Sequence, residues 1–278
     1  MTIIEPHIHM YSRTTDDYVD MYLAGIRACV EPSFWMGRNR RYAGTFFDYF
    51  DLILEFETVR ARRFGIDHYA AVALNPKEAE DGVLANEVID GLEPYLEHPR
   101  CVAIGEIGFN AITPNEENAF VRQLHLANEH HMPVIVHLPH VDKLRGTKRT
   151  IEIIRAERIN PDWVVIDHNT EETILLSRES GCYCGMTVYP ISKLNPERVS
   201  AIIGEYGSER MIVNGSADWG VSDPLSLVKV VERLRLDGFP DTDIRRLTCD
   251  NAMAFYSQSP NWKPDFTIQP LDPREFQR

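Results

Sequence analysis

The sequence predicts one α/β domain with the architecture of a (β/α)₈ or TIM barrel. Eight short apolar segments alternate with segments of helical character over residues 1–256. The chain has 278 residues, and such barrels usually take about 250 residues as a single domain. Histidines and carboxylates stand where predicted strands end, which is the edge at which these barrels carry active sites. Residues 257–278, rich in proline and aromatic side chains, are expected to form an extended tail packed on the barrel.

Capping signals and apolar spacing set the boundaries of the elements. Thr113 begins a capping box, with Pro114 at the first helical position. The helix that follows carries Phe120, Leu124 and Ala127 at spacings that place them on one face. The predicted strands cover residues 2–9, 27–32, 68–75, 101–109, 133–137, 163–168, 182–189 and 211–218. The predicted helices cover residues 51–64, 77–97, 147–158, 224–236 and 241–256, with one more starting at Pro114.

A long segment, residues 33–50, follows the second strand on the edge expected to carry the chemistry. It contains Trp35 and the guanidinium groups of Arg38 and Arg41, which suit a carboxylate or a phosphate. One interpretation is a lid that covers the site and binds an anionic group of the substrate. The other is that its aromatic side chains pack on the barrel rim while its arginines face water.

Composition bounds the partners and the compartment. With 29 Lys and Arg against 42 Asp and Glu, the net charge of −13 disfavours nucleic acid as the natural partner. No apolar run approaches the roughly 18 residues of a membrane span, and the first residues lack the pattern of a signal peptide. The five cysteines are expected to be reduced, and the protein cytoplasmic. Whether it forms a homo-oligomer stays open.

The most informative stretch is the apolar run around Glu106 in the fourth predicted strand. An isolated carboxylate there would cost several kcal/mol unless a cation compensates it. The glycines on either side, Gly105 and Gly108, let the backbone approach something bulky. The partners that the sequence offers at other strand ends are imidazoles rather than lysines or arginines.

Four histidines and a second carboxylate stand at those strand ends: His7, His9, His137, His168 and Asp218. Side chains of a strand alternate, so two histidines at positions i and i+2 share a face. A lone strand histidine is more often a core residue, but this pattern favours ligands. Together with Glu106 the set predicts a site for two divalent metal ions, with Glu106 as the bridging carboxylate. Imidazole and carboxylate ligands suit both zinc and manganese.

Residues in the segment after the fifth strand are candidates to bind substrate. His140 follows His137 by three residues in a loop on the same edge, so it is a candidate to bind substrate. The basic residues between 143 and 149 are typical of a solvated face, although part of the run could reach an anionic substrate. Cys182 and Cys184 are expected in the core at the opposite pole.

The order of these residues resembles the amidohydrolase superfamily of metal-dependent hydrolases and, within it, the TatD family. Residues 103–109 are similar to that family's fourth-strand motif, residues 133–137 to its fifth, and residues 251–256 to its closing helix. The resemblance covers residues 3–256 and implies a hydrolase with a binuclear centre. It assigns His7, His9 and Asp218 to one ion and His137 and His168 to the other.

The implied mechanism is attack of a metal-bridging hydroxide on a carbonyl or phosphoryl centre. Asp218 accepts the remaining proton and passes it to the leaving group. Four positions depart from the family pattern: Glu5, Asn75, Pro139 and Ser216 replace the Asp, His, Arg and Glu that are usual there. Nuclease members use some of those groups around the scissile phosphate, so a small, anionic substrate is expected rather than DNA.

Three other functions are alternatives to hydrolysis of a small substrate. A TatD-type deoxyribonuclease would use the same metals. A barrel that binds metal but has lost catalysis would serve as a binding or assembly protein. A Schiff-base aldolase would need a lysine at a barrel strand end, and none of the eight predicted strands contains lysine.

Overall fold

In the computed structural model, which describes residues 1–272, eight parallel strands form one sheet in sequential order. The strands are β1 (Ile3–Glu5), β2 (Ile26–Pro32), β3 (Asp67–Val72), β4 (Cys101–Gly108), β5 (Val134–His137), β6 (Val164–Ile166), β7 (Tyr183–Thr187) and β8 (Met211–Asn214). The α-helices are α1 (Thr15–Leu23), α2 (Ala43–Asp51), α3 (Glu57–Arg63), α4 (Gly82–Asp90), α5 (Glu93–Leu96), α6 (Pro114–Glu129), α7 (Lys143–Ala156), α8 (Ile174–Glu179), α9 (Pro196–Tyr206), α10 (Ser226–Leu236), α11 (Asp241–Arg245) and α12 (Asn251–Tyr256).

The predicted (β/α)₈ barrel is confirmed. Each strand pairs in parallel with the next, as in the β2–β3 register that runs from Ala28 opposite Asp67 to Pro32 opposite Ala71. The segments that follow β1 and β8 are joined by two backbone hydrogen bonds. Ser216 N donates to His7 O at 2.7 Å, and His9 N donates to Ala217 O at 2.9 Å. These bonds bring the first and last strands together on the edge where the candidate ligands lie.

The hydrophobic core has an inner and an outer layer. One buried cluster takes side chains from seven of the strands, among them Ile4, Val30, Ile135 and Ile212, and so fills the interior of the barrel. Two further clusters lie between the outer face of the strands and the surrounding helices. A barrel interior of packed side chains leaves no pore, so a ligand can enter only at the ends.

The end of the barrel opposite the candidate ligands is closed by α12 and the tail. Trp262 is only 5% exposed and its ring lies 4.7 Å from that of Tyr69 and 5.2 Å from that of Tyr256. The side-chain amide of Asn261 donates to the carbonyl oxygens of His98 and Cys101, at the start of β4. The predicted tail runs to residue 278, and its last six residues, including Phe276, lie outside the described residues.

The largest differences from the predicted helices concern three segments. The helix predicted at 51–64 is part of a longer helical segment in which α2 begins at Ala43 and a π-helical stretch, Leu52–Phe56, joins α2 to α3. Phe46, Tyr49 and Phe50 already give the start of that segment a buried face. The loop after β2 is therefore residues 33–42 and not 33–50. The helix predicted at 77–97 is divided into α4 and α5, because Pro94 cannot continue a helix from the preceding residues. The helix predicted at 147–158 is α7, which begins four residues earlier.

The sequence predicts reduced cysteines and no membrane span. All five cysteines are free and buried. Among the described residues, no helix is long and apolar enough to cross a membrane.

Trp262→Ala should lower the free energy of unfolding by about 3 kcal/mol or more, because it removes a buried indole from the closed end of the barrel. Urea denaturation followed by circular dichroism measures this change. Lys263→Ala, at the exposed neighbouring position, is the matched control and should change stability little. Equal stability of the two variants would mean that the tail does not contribute to the core.

Candidate metal centre

Glu106 reaches the centre of the barrel mouth from a bulge in β4. Gly105 pairs with Ile135 and Ile107 pairs with Val136, so Glu106 is an extra residue between two regular pairs. A Cβ at Gly105 would lie 2.6 Å from Cβ of Ile135, too close for any side chain. Gly108 has a φ of 121°, which disfavours other residues. The two glycines thus let β4 pack tightly against β5 beside the bulge.

Three imidazoles converge on one oxygen of the buried Glu106 carboxylate. Oε1 lies 3.1 Å from Nδ1 of His137, 3.2 Å from Nε2 of His168 and 3.4 Å from Nε2 of His7. The other oxygen, Oε2, accepts a hydrogen bond of 3.4 Å from the side-chain amide of Asn75. The ligand atoms of His7, Glu106 and His168 all lie within 4.8 Å of one another.

His7 and His9 meet at this centre, but not as neighbours on one face of a strand. β1 ends at Glu5, so both histidines belong to the segment that follows it. Their Nε2 atoms are 3.2 Å apart. The segment is held by the buried carboxylate of Glu5, which accepts hydrogen bonds from the backbone N–H groups of His7 and Gly215.

Second hydrogen bonds orient three of the imidazoles. Nδ1 of His7 lies 2.6 Å from Asp167 Oδ2, and Nδ1 of His9 lies 3.2 Å from the carbonyl oxygen of Pro32. Nδ1 of His168 lies 2.6 Å from Oγ1 of Thr187. Each bond leaves Nε2 directed at the Glu106 carboxylate or at its neighbours. This is how metal-binding histidines are usually fixed in tautomer and orientation.

The electrostatics of the cluster favour neutral imidazoles around a charged carboxylate. Burial lowers the pKa of His9, His137 and His168. Burial alone would raise the pKa of Glu106, but the charges of His7 and His137 hold it well below its usual range. Neutral imidazole and ionised carboxylate are the forms that bind divalent metals. The donor set therefore fits the metal ions that the sequence predicts.

Asp218 stands apart from this group of donor atoms. It lies four residues beyond the end of β8, on the wall of the cavity above the histidines. Its Oδ1 accepts hydrogen bonds from the hydroxyl of Tyr189 at 2.8 Å and from the backbone N–H of Gly220 at 2.6 Å. The carboxylate is thus held in one orientation by the loops after β7 and β8.

A cavity of about 220 Å³ opens above the cluster. Of the predicted substrate ligands, His140 and Trp35 line it. Arg38 and Arg41 are exposed on the loop after β2 and are not among the lining residues. Arg40, between them, forms a largely buried ion pair with Glu78 instead.

Several lining or supporting residues had no signal strong enough to single them out. Asp167 directly precedes His168 in the sixth predicted strand. A carboxylate within that apolar run is the one sequence feature that could have pointed to its role. Asp167 also accepts hydrogen bonds from Asn214 through both oxygens. Lys77 and Lys193 line the cavity from loops, where a lysine is ordinarily a surface residue.

Comparison with known proteins identifies the family of this chain. The family model described as TatD-related DNase matches residues 42–217. An uncharacterized metal-dependent hydrolase of Methanocaldococcus jannaschii is 29% identical over 262 residues, which is 91% of this chain and 99% of that protein.

Solved structures show the same architecture. The TatD-like protein of Archaeoglobus fulgidus superposes with a TM-score of 0.74 at 25% identity, over 91% of this chain and 99% of that one. The organophosphorus hydrolase of Deinococcus radiodurans shares the fold, with a TM-score of 0.69 at 16% identity over 91% of this chain and 92% of that one. With the family model covering more than half of the chain, the protein belongs to the TatD family of metal-dependent hydrolases.

Proposed function

We propose that the protein hydrolyses a small, anionic substrate at a binuclear centre whose bridging ligand is Glu106. The observation that carries the proposal is the convergence of His7, His137 and His168 on one oxygen of that carboxylate, within 3.4 Å, at the base of a cavity. One ion would be held by His7, His9 and Asp218, and the other by His137 and His168. Zinc and manganese both suit this donor set.

Divalent ions at this position would acidify water and polarise the carbonyl or phosphoryl group that is attacked. The protein's own contribution is to orient the reacting groups. Asp218, fixed by Tyr189 and Gly220, faces the cavity and would accept the proton of the attacking water. It would then return that proton to the leaving group.

The size of the cavity supports a small substrate. A volume of about 220 Å³ is below the range of roughly 300–1,000 Å³ that is usual for pockets holding drug-sized ligands. The family's description names a deoxyribonuclease activity, which is the second candidate function. The net charge of −13 opposes the approach of a long polyanion such as DNA.

The metal content of the purified protein tests the proposed centre. Purified protein should contain between one and two equivalents of zinc, manganese or another transition metal, and His7→Ala should lose the ion that His7, His9 and Asp218 are proposed to hold. Inductively coupled plasma mass spectrometry measures this, with His125→Ala as control, since His125 is an exposed residue paired with Glu157. Protein that holds no metal as purified and none after reconstitution would refute the centre.

The second prediction concerns the support of His7. Asp167→Asn should weaken metal binding by about 10- to 100-fold, because the imidazole loses the carboxylate that orients it. Competition with a chelator measures the dissociation constant. Asp162→Asn, at an exposed aspartate paired with Arg210, should leave it unchanged. Equal constants for wild type and Asp167→Asn would remove Asp167 from the metal centre.

The third prediction concerns substrate class. Metal-loaded protein should hydrolyse members of a panel of small anionic esters, amides, lactones or phosphoesters, and Glu106→Ala should abolish that turnover. Duplex DNA should not be cleaved at physiological salt. DNA cleavage that requires metal and disappears in Glu106→Ala would favour the nuclease instead. Bound metal without turnover on any substrate would favour a binding protein.

A further inference from the structure

Two lysines bring positive charge to the cavity of an otherwise acidic protein. Lys77 lies in the turn after β3, and Lys193 in the loop after β7, and both line the cavity. Within residues 1–272, neither ammonium group has a carboxylate oxygen within the 4.0 Å of an ion pair. A third lysine, Lys143, donates to the carbonyl oxygen of His168 and lies close enough to affect Lys193 electrostatically.

Lys193 is poorly satisfied by its protein neighbours. Its Nζ lies 3.2 Å from Nδ1 of His168 and 3.5 Å from Oγ of Ser216. In the proposed function Nε2 of His168 binds metal, so Nδ1 carries a hydrogen and donates to Thr187. It then cannot accept a hydrogen bond from Lys193. The hydroxyl of Ser216, at the limit of hydrogen-bond distance, is the one acceptor left among these contacts.

Lys77 is held over an aromatic ring. Its Nζ lies 4.4 Å from the centre of the Trp35 ring, a cation–π contact. Two carboxylates near Lys77 are engaged elsewhere: Glu78, the next residue, pairs with Arg40, and Glu106, on the same cavity, contacts the histidines. The contact fixes the ammonium group at the cavity wall without neutralising its charge.

The electrostatic consequences are visible in neighbouring groups. Burial and the charge of Lys193 lower the pKa of Lys143 to about 8. Burial, followed by the charges of His137, Lys193, Lys143 and Lys77, lowers the pKa of His140 to about 4. Glu106, Asp167 and Asp218 act on Lys193 in the opposite sense, and metal ions in the centre below would offset the charge of those carboxylates. An anion entering the cavity would relieve the repulsion among the positively charged groups.

Aromatic side chains form the adjoining wall. Trp219, which is 45% exposed, lies with its ring 5.0 Å from that of Phe34 and 6.0 Å from that of Trp35. All three residues line the same cavity as the lysines. An exposed indole at a cavity mouth offers apolar contact to a ligand whose charged end lies deeper.

We propose that Lys77 and Lys193 form a subsite for a carboxylate or phosphate group of the substrate, with Trp35 and Trp219 contacting its apolar or planar remainder. This assignment rests on the proposed function, since metal binding at Nε2 of His168 keeps the ring hydrogen on Nδ1. The proposed ligands of the anionic group are thus these lysines, and not the exposed Arg38 and Arg41 that the sequence suggested. The substrate class is thus a small hydrolysable molecule with an oxyanion group and a ring or alkyl group.

The test compares benzoate with its neutral analogue benzamide by isothermal titration calorimetry on protein of verified metal content. Wild type should bind benzoate at least tenfold more tightly, and Lys77→Met and Lys193→Met should each reduce that preference at least fivefold. Lys193→Arg should retain most of it. Trp219→Ala should weaken both probes by the same factor. Lys263→Met, at an exposed site on the tail, is the control and should match wild type.

An unchanged preference in both lysine-to-methionine variants would overturn the subsite. Lys193 contacts His168, a proposed metal ligand. If Lys193→Met loses metal, the preferences for benzoate of Lys77→Met and Lys193→Arg decide whether the subsite exists. The outcome is separable from that of the proposed function because binding is measured without turnover. A lysine-dependent preference in a protein that hydrolyses nothing would uphold the subsite and refute the hydrolase.

Discussion

The burial of one carboxylate is the constraint on which the functional end of this molecule depends. Glu106 is only 1% exposed at the mouth of a barrel whose interior is packed with apolar side chains, and there its charge requires compensation. His7, His137 and His168 each place a ring nitrogen within 3.4 Å of one carboxylate oxygen. A divalent cation bound by these donor atoms would supply the compensating charge. Metal binding would therefore stabilise the protein as well as enable its chemistry.

The barrel separates the part that stabilises the fold from the part that carries the chemistry. At one end, Trp262 and Tyr256 close the interior with buried aromatic rings. At the other end, two residues of the site, His168 and Ser216, have left-handed backbone conformations, with φ of 63° and 44°. Such conformations are unfavourable for these residue types and are maintained by surrounding contacts.

Charge is distributed unevenly over this acidic chain. The net charge of −13 is a property of the whole chain, whereas the cavity brings Lys77 and Lys193 together with the carboxylates of Glu106 and Asp218. A small anion experiences mainly the local groups, because salt screens exposed charges beyond about 8 Å. A long polyanion would also experience the net negative charge of the chain as a whole. Under the proposed function, the cavity lysines would attract a small anion while the net charge of the chain would oppose a nucleic acid.

The sequence by itself determined the barrel and which histidines and carboxylates lie at its mouth. Apolar runs alternating with helical segments specify strand order, and the parallel strands of a barrel all end at one edge. Only the tertiary structure decided how those residues are arranged. Glu106 is aimed by a bulge that depends on contacts with β5, and His7 is oriented by Asp167, 160 positions away. The two cavity lysines lie on loops, whose paths follow from packing across the whole fold and carry no local sequence signature.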